Sequence, residues 1–290
     1  MIAVAGPDLP HEVLLAARCH AGPLPFDPDR TAPRAAQWLE SKFAPWAPAV
    51  LESWLEGAYD HLDAVLFSRS DDTSQRLYYY ACELQRSGQL RGPEPLIFDM
   101  ARIPRDISRD RTVAQVRALA TRLGVSDALL EAAIQQANLD RLQAAPQAKG
   151  RRCLLAGSAP PDLRLHHAAT QAGWTAVGQT LTDQWTLDGT PVAEHSGDPA
   201  AAIGAALHAR QGGPRSFADP GALLAERAAG CGAVVLWRIE EDEALCWHLP
   251  AERRALDAMG LPHLVLTRRD WLARDGAAAE ITAFLEGLPA

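Results

Sequence analysis

Cysteine is scarce in this sequence, and long apolar runs are missing. The five cysteines are an odd number, and none belongs to a Cys-x-x-Cys pair, so we expect neither a disulfide framework nor a classical zinc site. No apolar run approaches the ~20 residues that span a bilayer. The N-terminus has no basic segment before its short apolar stretch. We therefore expect no secretory signal, no membrane partner and a cytoplasmic location.

An excess of positive charge is also missing. The net charge is −8, from 36 acidic and 28 basic residues, and the only lysines are Lys42 and Lys149. Nucleic-acid phosphates require clustered positive charge, so we expect no nucleic-acid partner. The 290 residues are 48% hydrophobic and 22% charged, which is typical of a folded globular protein. A chain of this length has room for two domains of roughly 140 residues.

What the sequence does contain is an alternation of strand-like apolar runs with amphipathic segments. This pattern predicts an α/β protein with two tandem open parallel-sheet (flavodoxin-like) domains and helices on both faces. A polar segment at 146–150 predicts a linker and domains at 1–148 and 149–290. The predicted strands are 62–70, 94–100, 152–158, 174–180, 232–239 and 262–268. The predicted helices are 33–57 (broken by prolines), 73–88, 109–124, 126–145, one ending near 172, 199–211, 219–229, 250–259 and 276–287.

Polar side chains follow several of these strands. Ligands of open parallel sheets bind beyond the carboxyl ends of the strands, so residues at these positions are candidates for a binding site. Both halves contribute such residues, and we interpret them as lining an interdomain cleft. The candidate substrate-binding residues are Arg69, Ser70, Asp72, Gln75, Arg102 and Arg105.

Each candidate also has a structural interpretation. Asp72, Thr73 and Ser74 can cap the helix that follows, because their side-chain oxygens accept bonds from its first N–H groups. The acidic run at 240–243 fits a solvated loop, and Arg102 and Arg105 fit an ordinary surface. No G-x-S-x-G nucleophile motif and no metal-ligand spacing is present. The residues by themselves predict a polar cleft but no reaction.

Four segments, taken in order, resemble the 2-hydroxyacyl-CoA dehydratase and benzoyl-CoA reductase family. PHEVLLAA (10–17) is similar to the opening of the family, and LDAVLFSRSDDTSQRLYYYACELQRSG (62–88) to its N-terminal core. RRCLLAGSAPP (151–161) resembles the entry strand of its second domain. GAVVLWRIEEDEALCWHLPAERRALDAMGLPHLVL (232–266) resembles its C-terminal core.

The resemblance implies two facing α/β domains with a 4Fe-4S cluster on three cysteines between them. In the family an ATP-driven activator supplies one electron, which passes to an acyl-CoA thioester as a ketyl radical anion and permits loss of a hydroxyl group. In the family two related subunits usually pair to form the working enzyme. By resemblance the chain is a dehydratase-like protein, a lyase or a subunit of one. Its expected partners are an acyl-CoA thioester and a paralogous subunit or a second copy.

The sequence departs from this family at the cluster ligands. The three cysteine positions fall near Ala44, at Asp71 and at Asp242. Iron in such clusters is held by soft thiolate sulfur, whereas carboxylates favour harder ions, so we expect neither the cluster nor another metal here. Asp71 and Asp242 become the candidate catalytic residues. If they face each other, like-charge repulsion would raise the pKa of one of them and let the pair carry a proton.

Two alternatives stay open. Cys19, Cys82 and Cys246 could serve as unconventional ligands of an active 4Fe-4S subunit, whereas Cys153 and Cys231 start strands and fit ordinary buried thiols. The chain could also be a non-catalytic binding or regulatory protein that keeps only the fold.

Overall fold

The computed structural model describes residues 1–101, 103–144, 150–186, 191–210 and 218–289. The chain forms two compact units, Met1–Ala145 with Asp183–Phe217, and Pro146–Thr182 with Ala218–Ala290. This division differs from the predicted one, with its single boundary between residues 148 and 149, because a second segment returns to the first unit. The predicted linker at 146–150 lies outside the described residues except for Gly150.

Both units are built from parallel strands and helices. The strands are β1 Ile2–Ala5, β2 His20–Pro23, β3 Ala64–Ser68, β4 Glu94–Phe98, β5 Arg152–Gly157, β6 Thr175–Val177, β7 Ala233–Ile239 and β8 His263–Arg269. The helices are α1 His11–Ala16, α2 Trp46–Leu55, α3 Asp72–Arg86, α4 Asp106–Arg122, α5 Asp127–Ala144, α6 Arg164–Gln171, α7 Leu181–Gln184, α8 Pro199–Ala209, α9 Pro220–Ala228, α10 Leu249–Met259 and α11 Ala277–Glu286.

Each unit holds one four-stranded parallel sheet, with strand orders β2-β1-β3-β4 and β6-β5-β7-β8. The α/β class and the parallel sheets flanked by helices are thereby confirmed. The central strands β3 and β7 are buried at every position, as expected for parallel strands covered by helices. Within the described ranges, every helix is too short or too polar to cross a bilayer.

The N-terminal segment departs from the prediction. The strands β1 and β2 and the helix α1 lie where the sequence suggested no regular structure, because prolines surround a strand of only four residues. Of the two helices predicted in 33–57, the second is confirmed as α2, which begins at Trp46, and the first is wrong, because only a single 3-10 turn stands at Ala35–Gln37. The buried Glu52 carboxylate holds that turn, accepting the N–H groups of Arg34 at 3.0 Å and Ala35 at 2.8 Å.

A buried amide explains why the segment before α8 belongs to the first unit. Asn138 on α5 donates to the Val192 carbonyl at 2.8 Å and accepts the Val192 N–H at 3.0 Å. The same amide donates to the Glu194 carboxylate at 2.8 Å. The helix α8 then packs closely on α4, where a Cβ on Gly204 would lie 2.6 Å from a methyl group of Val113. Sequence periodicity carries no information about this return of the chain.

Both sheets require a glycine where their first strand ends. Gly6 has φ +113°, and a Cβ there would lie 2.7 Å from the Ser68 Cβ. Gly157 has φ +106°, and a Cβ there would lie 2.0 Å from the Trp237 carbonyl oxygen. Side chains are therefore excluded where β1 approaches β3 and where β5 approaches β7, both by space and by backbone conformation.

The substitution Gly157→Ala should destabilise the second unit strongly. Positive φ costs alanine about 1 kcal/mol, and the overlap with the Trp237 carbonyl should add about 1–3 kcal/mol. Gly173→Ala is the matched control, because Gly173 has φ +79° and no atom lies within 4 Å of the place that a Cβ would take. Urea unfolding should show that the control loses only about 1 kcal/mol of unfolding free energy. Equal losses in the two variants would contradict the close approach.

Candidate functional site

The candidate carboxylates follow corresponding strands of the two sheets. In each sheet the chain reverses its direction of winding between two neighbouring central strands, β1 and β3 in the first unit and β5 and β7 in the second. Ligands of open parallel sheets bind at the carboxyl ends of strands beside such a reversal. Asp71 comes shortly after β3 and Asp242 shortly after β7. They belong to different units, and their pairing stays a prediction.

Asp71 caps the helix α3. Its backbone is extended, with φ −113° and ψ 129°, and its side chain accepts the Ser74 N–H at 2.6 Å. The first turn of the helix also reaches a distant segment, because Thr73 Oγ1 accepts the Ala44 N–H at 3.0 Å. The Ala44 segment and Asp71, the two positions in this unit that the resemblance assigns to cluster cysteines, are therefore both at the start of α3.

Three serines tie the start of α3 to the ends of β1 and β3. The Ser74 hydroxyl donates to the Ala5 carbonyl at 2.6 Å and accepts the Ser68 N–H at 3.0 Å. The hydroxyls of Ser68 and Ser70 lie 2.8 Å apart, and Ser70 donates to the Asp8 carboxylate at 3.0 Å. Ser70, predicted to bind substrate, is buried and takes part in this internal network.

The other predicted substrate-binding residues are distributed differently. Arg69 is exposed and pairs with Asp99, which follows β4, at 2.9 Å. Asp72 is exposed in the first turn of α3, and Gln75 is half-buried one turn further on. Arg105 is exposed immediately before α4, and Arg102 lies outside the described residues. The structure thus gathers Arg69, Ser70, Asp71, Asp72 and Gln75 around the end of β3.

Asp242 has a different environment from Asp71. The Ser158 hydroxyl, directly after β5, donates to the Asp242 carboxylate and accepts the Ile239 N–H at 3.1 Å. Burial raises the pKa of Asp242, against the opposing effects of the Ser158 hydrogen bond and of the Arg238 charge. Arg238 itself is buried and binds both oxygens of Glu252 at 2.6 and 2.7 Å. The protonated form of Asp242 is therefore favoured relative to an exposed aspartate.

The five cysteines differ in exposure. Cys153 and Cys231 are buried, as predicted, and burial raises the pKa of Cys153 to about 12. Burial also raises the pKa of the half-buried thiols Cys19 and Cys82, and Cys246 is exposed. Among the described residues, no group of three or more His, Cys, Asp or Glu side chains is arranged to hold a metal ion.

One buried polar cluster of the first unit was not found from the sequence. His11 Nδ1 lies 3.0 Å from His20 Nε2, and Glu12 forms an ion pair with Arg141 of α5. Burial, followed by the positive charge of His20 and two arginines, lowers the pKa of His11 well below its usual value. Assignment of β1 would have revealed this cluster, because His11 and Glu12 then start the helix after the first strand.

A scan against protein-family models finds no match for this chain, and a search of the curated proteins finds none either. The family resemblance therefore rests on the motifs of the chain itself.

Two variants of Asp71 show whether its capping hydrogen bond or its negative charge stabilises α3. Asp71→Ala should destabilise the first unit by about 1 kcal/mol, because the Ser74 N–H loses its acceptor. Asp71→Asn keeps an oxygen at the cap and should stay close to the parent. Urea unfolding of both variants checks this, and an equal loss in both would show that the negative charge, rather than the cap, is what stabilises α3.

Asp242 should make stability depend on pH. The folded chain holds the Asp242 proton more tightly than the unfolded chain, so the contribution of this residue to stability falls as pH rises from the ordinary aspartate range, near ~4, through the raised pKa. Asp242→Asn should therefore gain stability over the parent between pH ~4 and neutrality. The exposed Asp257→Asn is the control, and identical pH profiles for the parent and Asp242→Asn would contradict the burial effect.

Proposed function

We propose that this chain is an acyl-CoA thioester-binding protein on the scaffold of the 2-hydroxyacyl-CoA dehydratase and benzoyl-CoA reductase family, without the iron–sulfur cluster. The four similar segments support the proposal, because they occur in the family's order. The strand order of each sheet also supports it, since 2-1-3-4 is the beginning of the flavodoxin-like order.

The observation that carries the proposal is the contact between Ala44 and the start of α3. These segments are 29 residues apart, and the resemblance places the first two cluster ligands there. Ordinary helix capping requires Asp71 but does not require the Ala44 segment. The resemblance leads us to expect the Ala44 segment beside Asp71, and helix capping does not. The hydrogen bond from the Ala44 N–H to Thr73 therefore supports the proposal independently of the cap.

In this proposal the two carboxylates have different roles. Asp71 is committed to the helix cap, so it maintains the shape of the site and leaves the chemistry to other groups. Asp242, whose pKa is raised by burial, can donate a hydrogen bond to the thioester carbonyl oxygen when it is protonated. Arg105, exposed before α4, is available for a phosphate of CoA. A paralogous subunit or a second copy is the proposed protein partner.

A binding protein without turnover is the second candidate, and the capping role of Asp71 favours it. A carboxylate that holds a helix start is retained for folding whether or not a reaction follows. Incubation with a 2-hydroxyacyl-CoA, followed by mass spectrometry of the thioester, distinguishes the two. Loss of water supports a dehydratase, and binding with the hydroxyl group intact supports the non-catalytic protein.

Calorimetric titration with butyryl-CoA, benzoyl-CoA and CoA tests the proposal. The thioesters should bind saturably and more tightly than CoA. Asp242→Ala should weaken thioester binding by about tenfold, because one strong hydrogen bond is lost, and should leave CoA binding unchanged. Glu243→Ala, an exposed neighbour, is the control. Absence of saturable binding at millimolar thioester would overturn the proposal.

A further inference from the structure

A cavity of about 300 Å³ lies along the outer edge of β4 in the first unit. Tyr78 of α3 lines one side, and Leu119 of α4 lines the other. Leu96 and Phe98 of β4 contribute its apolar base. None of the candidate residues at the ends of β3 and β7 lines this cavity, so it is distinct from the site of the proposed function.

The edge of β4 is open but poorly suited to another strand. β4 stands last in its sheet, and Glu94 donates its N–H inward to Asp63 while the Phe98 carbonyl accepts inward from Arg69. Alternate residues of a parallel strand point to opposite sides, so the backbone of Pro95 and Ile97 faces outward. Proline has no N–H to offer, which interrupts the ladder that an added strand would need. A small molecule is the better occupant.

The volume and lining of the cavity indicate the size and the apolar character of that molecule. A cavity of about 150 Å³ holds benzene, so the present volume accommodates about a dozen non-hydrogen atoms. Binding pockets combine mostly apolar walls with a few polar groups that orient the ligand. Here Leu96, Phe98 and Leu119 supply the apolar part of the lining, and Glu94, Gln115 and Arg122 supply a polar part of similar extent. The apolar part can accept an aromatic or branched apolar group.

The polar group at the rim is the guanidinium of Arg122. Its Nη2 contacts both oxygens of Glu94 at 2.8 and 2.7 Å. A guanidinium has five N–H donors, and Arg122 has no other acceptor within the part of the chain that the structure describes. The N–H groups of its Nη1 and Nε therefore stay available. They lie on different edges of the guanidinium, so a carboxylate can accept a charge-assisted hydrogen bond from one of them.

We propose that this cavity binds a small monocarboxylic acid, with its carboxylate on Arg122 and its apolar body against Leu96, Phe98 and Leu119. The pairing with Glu94 neutralises part of the positive charge, so Glu94 sets the affinity for the acid. The site is separate from the thioester site, and either can fail without the other.

Titration with 4-phenylbutanoate and with the neutral 4-phenylbutanamide tests the charge requirement. The acid should bind at least about tenfold more tightly than the amide, which corresponds to one charge-assisted interaction. Arg122→Gln should remove this preference. Glu94→Gln should increase the affinity for the acid severalfold and leave the affinity for the amide unchanged. Equal binding of acid and amide to the parent protein would overturn the proposal, as would the absence of saturable binding at millimolar acid.

A variant that fills the cavity tests the location. Ala118 lines the cavity on an exposed part of α4, so Ala118→Phe should abolish binding of both probes while the fold is kept. Ala114→Phe, one turn earlier, exposed and outside the cavity lining, should bind both probes like the parent. Unchanged acid binding in Ala118→Phe would overturn the assignment. Far-ultraviolet circular dichroism and urea unfolding establish that both variants are folded.

Discussion

The close approach of neighbouring strands at the ends of β1 and β5 is the constraint on which the polar sites depend. Neither Gly6 nor Gly157 has space for a Cβ, so the following loops pass directly over the neighbouring strand. A serine then bridges each crossing: Ser74 joins the ends of β1 and β3, and Ser158 joins the ends of β5 and β7. Asp71 and Asp242 are positioned by these serines. The same backbone geometry therefore supports a carboxylate in each unit.

Asp71 and Asp242, the two positions that the family resemblance assigns to cluster ligands, differ in their roles because their surroundings differ. Asp71 lies at a helix start, where an anionic oxygen satisfies an unpaired N–H and interacts favourably with the helix dipole. Asp242 is half-buried beside a serine hydroxyl, and burial raises its pKa. Asp71 is therefore structural, whereas Asp242 holds a proton more readily than an exposed aspartate does. This difference of role follows from environment, as it does for pairs of carboxylates in enzymes.

The sequence predicted those parts of the fold in which local pattern and tertiary packing agree. The apolar runs of β3 and β7 were predicted because a strand buried on both faces is apolar throughout. The four residues of β1 were too short for a periodic signal, and the spacing after Pro33 suggested a helix where the Glu52 carboxylate holds a turn instead. Capping of α3 was predicted from the sequence but assigned to the residues that follow Asp71, which is the actual N-cap. The cavity beside β4 could not be predicted from the sequence, because which strand stands at the edge of a sheet depends on the strand order.

The proposed absence of an iron–sulfur cluster is tested most directly by anaerobic reconstitution of the unmodified protein with iron and sulfide, followed by desalting and determination of bound iron and acid-labile sulfide. We predict no stoichiometric iron, because carboxylates stand at the expected positions 71 and 242 and no group of three or more potential ligands is found among the described residues. Retention of about four iron atoms per chain, as in a 4Fe-4S centre, would mean that cysteines outside the expected positions assemble a cluster. That result would contradict a carboxylate-bearing, cluster-free scaffold.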